Sequence, residues 1–239
     1  MGHVLTDRRG DVLHVLINRP QKRNALSRAV LAELSETFNA AAADADLRAA
    51  VLRGAGDKNF AAGGDLIDLS EVRTLAEATV MANEARAALD TIRRFPVPVV
   101  AALNGDALGG GAELAVACDF RILAAHARIG FIQGRLNIST AWGGGVDLAD
   151  LVGPAAALRL LSRSDLVTGK EALSIGLADA VASAEEDVDD AVRAFLEPVV
   201  RQAPQVLRAF KSLAIEARLG HQHEQLRALE TRLFSHTWI

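Results

Sequence analysis

Residues 104–118, NGDALGGGAELAVAC, follow the apolar run Val97-Pro98-Val99-Val100-Ala101-Ala102-Leu103, and together they restrict the fold more tightly than any other part of the chain. The run is short, rich in β-branched residues and closed by a turn signal, which predicts a buried strand feeding a helix that starts near Gly109. Glycines are poor helix interior, at roughly 1 kcal/mol each against alanine. They make sense where a ligand comes close to the backbone, because the first N–H groups of a helix have no internal acceptor and carry partial positive charge. Glu113 then falls within the first turns. Free N–H groups able to hold a developing oxyanion, beside a carboxyl able to move a proton, are a catalytic arrangement in outline. A plainer reading also fits these residues: a tight strand–helix turn with glycines for packing and a glutamate favoured by the helix dipole.

The chain has 239 residues, half of them apolar, enough for one large or two small domains with an ample core. A net charge of −4 with no basic block argues against nucleic acid as a partner. The single cysteine, Cys118, lies in the apolar tail of the central helix, where a buried, inert thiol is the expectation. One cysteine forbids an internal disulfide, which fits a reducing compartment. The first twenty residues mix acids and bases in a way no signal peptide does, and no apolar run approaches the length of a membrane span. A cytoplasmic location is expected. No metal is expected either, because His126, His221, His223 and His236 lack ligand spacing supported by other ligands. His14 reads as a strand-face residue, and the absence of tyrosine excludes a phenolic acid.

In chain order, a strand near Val4 to Thr6, a turn at Arg9-Gly10-Asp11 and a strand over 12–17 predict a pair. A loop with Lys22 and Arg23 follows, either solvated or set to meet phosphates, and Ser27 is the expected N-cap of a helix over 28–43. A strand over 49–52, a turn at 54–57 and the segment Phe60-Ala61-Ala62-Gly63-Gly64-Asp65-Leu66 lead into a short helix with Asp65 as N-cap. Here too glycines precede a helix start, so the N–H groups near Gly64 and Gly110 could converge on one oxygen. A long helix over 75–94 stops before Phe95-Pro96-Val97-Pro98. After the central unit come short strands over 119–123 and 127–132, and a helix opened by Gly143-Gly144-Gly145. From residue 154 the pattern turns helical, over 154–161, 169–175, 185–199, 204–219 and 222–234.

Four segments resemble the crotonase superfamily, the enoyl-CoA hydratase/isomerase family, in order and over nearly the whole chain. They are INRPQKRNALS, NFAAGGDLIDL, PVPVVAALNGDALGGGAELAVACDFRI and AWGGGVDLADLVG. The resemblance implies an α/β fold, a crotonase-like spiral of ββα units with a C-terminal helical region. Residues 1–150 would form the spiral body with the CoA and oxyanion sites. Residues 151–239 would serve oligomerisation and site closure. It further implies a homotrimer or dimer of trimers and an acyl-CoA thioester substrate, so that CoA belongs to the substrate and no separate cofactor is needed. The N–H groups of Gly64 and Gly110 match the family's oxyanion hole, and Glu113 matches the first catalytic glutamate of the hydratases. Lys22, Arg23 and Ala25 fall in the loop lining the CoA groove. Ala61, Ala62, Asp65 and Leu66 match the stretch along adenine and pantetheine, and Trp142 would wall the acyl pocket.

The chain departs from the hydratases at Gln133, where they carry a second glutamate. An amide cannot take a proton from water or return one to carbon. Decarboxylation of a malonyl-type thioester needs no base, because departing CO2 itself generates the enolate. The central motif, the spacing of FIQGRLNISTAWGGG and Trp142 are similar to the ethylmalonyl-CoA and methylmalonyl-CoA decarboxylase branch. Hydration or isomerisation by Glu113 alone is one alternative, and a catalytically silent CoA-binding paralogue is another. Gln133 would hydrogen-bond substrate or merely satisfy its loop; Arg135 would attract a carboxylate or form a surface ion pair. Chains of this family usually continue beyond the segment Glu230 to Phe234 with a helix that closes the CoA site or docks on a neighbour, and here the sequence stops at Ile239.

Overall fold

The computed structural model describes residues 2–220. The helix expected over 222–234, together with His221, His223 and His236, lies outside these residues. Strands β1 (Val4–Arg9) and β2 (Val12–Ile17) form an antiparallel hairpin around Gly10, whose φ of +59° suits the turn. Helix α1 (Arg28–Ala41) follows, with the Ser27 hydroxyl accepting from Val30 N as expected of its N-cap. Next come β3 (Ala49–Gly54), β4 (Asn59–Ala61), the short α2 (Leu66–Leu69) capped by Asp65, and α3 (Leu75–Arg93), which opens with a Thr74/Glu77 capping box.

The central unit is β5 (Val99–Leu103), β6 (Asp106–Leu108) and α4 (Gly110–Ala117). The strand β6 was not expected, because Gly105 and Gly109 on either side of it read as a continuous turn. A further unit consists of β7 (Phe120–Leu123), β8 (Arg128–Gly130), a 3₁₀ turn over Gln133–Leu136, and α5 (Gly144–Val152). The strand predicted over 127–132 is cut short because Ile132 already leads into that turn. The last described elements are α6 (Pro154–Arg163), β9 (Val167–Thr168), α7 (Gly169–Ser174), β10 (Ala180–Val181), α8 (Val188–Leu196) and α9 (Pro204–Arg218). The two short strands lie in connections that carry no strand signal of their own.

The first unit keeps both strands, β1 and β2, in one sheet, whereas the units β3-β4, β5-β6 and β7-β8 each send their first strand to that sheet and their second to another. The larger sheet has the order β1-β2-β3-β5-β7-β10, and the smaller β4-β6-β8-β9. In the larger sheet β2, β3, β5, β7 and β10 run parallel. Strands covered on both faces should be apolar throughout, and all five residues of β5 are buried. This is the spiral of ββα units that the sequence motifs imply.

The smaller sheet places the site. β4 runs parallel to β6 and β6 parallel to β8, so chain leaving each strand emerges on the same edge. Residues 62–64, 109–113 and 132–133 therefore arrive side by side, although they lie far apart in sequence. Close approach at this edge requires glycine. A Cβ on Gly111 would lie 2.0 Å from the Ala61 carbonyl oxygen, so α4 rests directly on the backbone of β4. Gly111→Ala should therefore cost about 2–3 kcal/mol of stability through overpacking against backbone that cannot rotate away. Urea denaturation measures it, and a loss below about 0.5 kcal/mol would contradict this packing.

Candidate active site

Gly64 and Gly110 meet at the edge of the small sheet by separate routes. Leu26 pairs with the 63–65 segment as a parallel bridge, its N–H donating to Gly63 O at 2.8 Å and its carbonyl accepting from Asp65 N at 3.0 Å. That pattern turns the N–H of Gly64 to the opposite side. Gly110 is the first residue of α4, where an N–H has no intrahelical acceptor. Gly109 before it has φ +53° and ψ −117°, a conformation glycine adopts far more readily than any other residue. The two segments are in contact, since a Cβ on Gly63 would sit 3.6 Å from Gly110 N.

Trp142 covers both glycines. A Cβ on Gly110 would come within 2.3 Å of its indole, and one on Gly64 within 3.6 Å. The backbone N–H of Trp142 donates to Glu113 Oε2 at 2.9 Å, and Gly144 N donates to the same oxygen at 3.0 Å. Glu113, in the first turn of α4, thus points its carboxylate at the start of α5. Gln133 Nε2 donates to the other oxygen, Oε1, at 3.0 Å. Glu113 is only 2 % exposed. Burial pushes its pKa up, the hydrogen bonds from Gly144, Trp142, Ala141 and Gln133 pull it down, and burial wins, leaving it above the ordinary glutamate range.

These groups line one cavity of about 380 Å³. Of the residues singled out in the sequence, Ala62, Gly64, Leu66, Gly110, Glu113, Gln133 and Trp142 line it, as does Arg135. Leu69, Met81, Ile132 and Ile138 make the rest of the wall largely apolar. Among the described residues, Glu113 is the only carboxylate in the lining. Lys22, Arg23, Ala25, Ala61 and Asp65 are not among the lining residues. Lys22 and Arg23 are exposed on the loop before α1. Ala61 is buried beneath α4, and Asp65 is paired with Arg19 at 3.0 Å while capping α2. Arg135 forms no ion pair among the described residues; its guanidinium donates to the Ser164 carbonyl at 2.6 Å.

Several residues that shape the site left no mark in the sequence reading. Arg93, reaching from the end of α3, donates to the Trp142 carbonyl at 2.9 Å and pairs with the buried Asp147 of α5 at 2.8 Å. It thereby fixes the loop whose N–H groups hold Glu113. Asn24 is fully buried: its amide nitrogen donates to the carbonyls of Ala55 and Asn59, and its oxygen accepts from Arg19 N. Asn104 ties the neighbouring turn in the same way, accepting from Gly54 N and donating to Gly56 O. Asparagines flanked by turn residues are the only local trace of these ties. Cys118 is buried and its thiol pKa is pushed up to about 12, so it is inert, as its place in the sequence predicts.

Backbone donors from two helix-leading segments and one buried carboxyl thus meet at an apolar cavity, an arrangement chemically able to hold a carbonyl oxygen and to move a proton. The chain belongs to the enoyl-CoA hydratase/isomerase family, whose model it matches over residues 7–238. It is 33% identical over 211 residues to a probable enoyl-CoA hydratase of Bacillus subtilis, covering 88% of this chain and 81% of that one. It is 31% identical over 228 residues to the ethylmalonyl-CoA decarboxylase of Xenopus laevis, covering 95% and 76%. Among solved structures, an enoyl-CoA hydratase of Mycobacterium smegmatis superposes with a TM-score of 0.93 at 28% identity, covering 100% of this chain and 92% of that one.

Ionisation of Glu113 can be followed in the stability of the fold. A carboxyl whose folded pKa lies above its unfolded value stabilises most at pH below the unfolded value, and that contribution is lost as pH rises through the folded value. Wild type should therefore lose stability relative to Glu113→Gln as pH climbs from the ordinary glutamate range through the raised value. Denaturation of both proteins across this range measures it, and parallel pH curves would contradict a raised pKa.

Proposed function

We propose that this crotonase-superfamily enzyme binds an acyl-CoA thioester with its carbonyl oxygen between the N–H groups of Gly64 and Gly110, and decarboxylates a malonyl-type acyl group. The observation that carries this reading is the pairing of Glu113 with Gln133, which leaves one carboxyl among the described residues lining the cavity where two-carboxylate hydration would use a pair. When the carbon–carboxylate bond breaks, its electron pair passes into the thioester as an enolate and CO2 departs. The backbone donors stabilise the negative oxygen, and they do so most strongly where water is excluded. The enolate carbon then takes a proton, and Glu113, whose burial favours the protonated form, is placed to give it and to recover one from solvent.

The apolar wall accommodates an alkyl branch on the reacting carbon, as in methylmalonyl or ethylmalonyl thioesters. The exposed cations Lys22 and Arg23 would meet CoA phosphates beside Ala25, with Ala61, Ala62, Asp65 and Leu66 along the path of the CoA. CoA enters as part of the substrate, with no further cofactor. The enzyme would act in the cytoplasm as a trimer or dimer of trimers, with residues 1–150 carrying the site and residues 151–239 serving assembly and closure. A second reading is hydration or isomerisation with Glu113 alone, favoured by the identity to hydratases over most of the chain.

Incubation with methylmalonyl-CoA, ethylmalonyl-CoA and crotonyl-CoA, followed by mass analysis of the CoA products, separates the readings. Loss of CO2 from a malonyl-type thioester with crotonyl-CoA unchanged is the expected result; gain of water by crotonyl-CoA alone would overturn it. Glu113→Gln should lower kcat by about 10²–10⁴-fold. With Glu113 as proton donor, the wild-type rate should fall as pH rises through its raised pKa, whereas a rate that rises there would make Glu113 a base.

A further inference from the structure

Helix α9 reaches the site from behind. Two of its basic side chains, seven residues apart and so on one face of the helix, close on the C-terminal end of α4. Lys211 is only 4% exposed and pairs with Asp119, just past that end. Arg218 Nη2 donates to Val116 O at 2.8 Å and Nη1 to Ala117 O at 3.4 Å, carbonyls in the last turn of α4 that have no acceptor role within the helix. The same guanidinium lies 3.7 Å from Asp147 Oδ1. The other oxygen of that buried carboxylate, Oδ2, pairs with Arg93 at 2.8 Å, and Arg93 donates to the Trp142 carbonyl. A continuous line of contacts thus runs from α9 to the turn whose Trp142 and Gly144 N–H groups hold Glu113 Oε2.

The geometry points to Arg218 as a positioning residue: by joining the end of α4 to Asp147 of α5, it keeps the Trp142–Gly144 turn seated against Glu113. Asp147 is the joint. Burial raises its pKa, Arg93 and then Arg218 lower it, Asp150 in the same helix raises it, and the balance lies above the ordinary aspartate range. A carboxyl so placed keeps its charge through its two arginines. Without the Arg218 charge it moves toward the neutral form and grips Arg93 less. The turn then loosens, and Glu113 loses donors that favour its ionised form. Arg93 is also paired with Asp90 of its own helix at 2.8 Å, and Arg218 lies 3.9 Å from Asp119. Arg86 and Arg94 of α3 complete the charged lining of the small cavity behind the turn. On the side of the site itself, Arg135 of the 3₁₀ turn is the only other charged group among the described lining residues. The inference rests on Glu113 as the proton-handling group of the proposed reaction.

Infrared titration of the intact, substrate-free protein follows Glu113 through the carboxylic C=O band that Glu113→Gln removes. Arg218→Gln keeps a donor for the Val116 carbonyl and drops the charge. It should raise the pH midpoint of that band by about one unit, a tenfold change in ionisation. Arg218→Lys, which restores the charge, should return the midpoint toward the wild-type value. In an Asp147→Asn background, Arg218→Gln should shift it no further, because the joint is already gone. An unchanged midpoint in Arg218→Gln would overturn the inference. So would a full shift in the Asp147→Asn background, which would make the effect one of charge through space. A merely structural arginine would lower thermal stability and leave the midpoint in place; Arg218→Met makes the same comparison if Arg218→Gln does not fold. Failure here is distinct from failure of the decarboxylase reading. A midpoint that moves while the pH profile of CO2 release stays put would remove Glu113 as proton donor and keep Arg218 as its positioner. A fixed midpoint, with CO2 release still following Glu113, would do the reverse.

Discussion

The seating of the first turn of α4 against the backbone of β4 and the face of Trp142 is the contact on which the rest of the site depends. With Ala61 O 2.0 Å from the place of a Gly111 Cβ and the indole 2.3 Å from that of Gly110, no side chain fits at either position. Glycine lets the helix start arrive with its N–H groups bare and next to the 62–64 segment. Helix propensity is sacrificed there, and the loss of about 1 kcal/mol per glycine is offset by the burial of an almost wholly apolar helix between two sheets.

A buried carboxyl follows from that placement. Glu113 lies one turn into α4, so its side chain must end within the same packed layer, where an ionised group without partners would be prohibitively costly. The start of α5 supplies N–H donors, and Arg93 holds the loop that presents them. Donors lower the pKa and burial raises it. Burial prevails, and the carboxyl lies above the ordinary glutamate range. Gln133 adds a donor without adding charge, which spares Glu113 the repulsion that a second carboxylate would bring.

Much of this was legible in the chain. Gly64, Gly110 and Glu113 stand out because glycine clusters before a helix have few uses besides close approach, and the caps Ser27 and Asp65 behave as local chemistry dictates. Strand β6 was hidden because three residues between two glycines look like a turn, and only its parallel neighbours β4 and β8 make it a strand. The same holds for β9 and β10, two residues each, which exist through pairing with distant partners. Arg93 could not be found locally, since the loop it fixes lies 49 residues away. Nor does sequence show that one end of the Gln133 amide is unsatisfied, which depends on every neighbour at once.

The central claim is that the N–H groups of Gly64 and Gly110 together polarise a thioester carbonyl. Isotope-edited infrared spectroscopy of a bound acyl-CoA labelled with 13C at the thioester carbon reads this directly. Binding should move the carbonyl stretch to a frequency clearly below that of the same thioester in water, as two preorganised donors draw charge onto the oxygen. A bound thioester whose carbonyl stretch stays at or above its value in water would contradict the account.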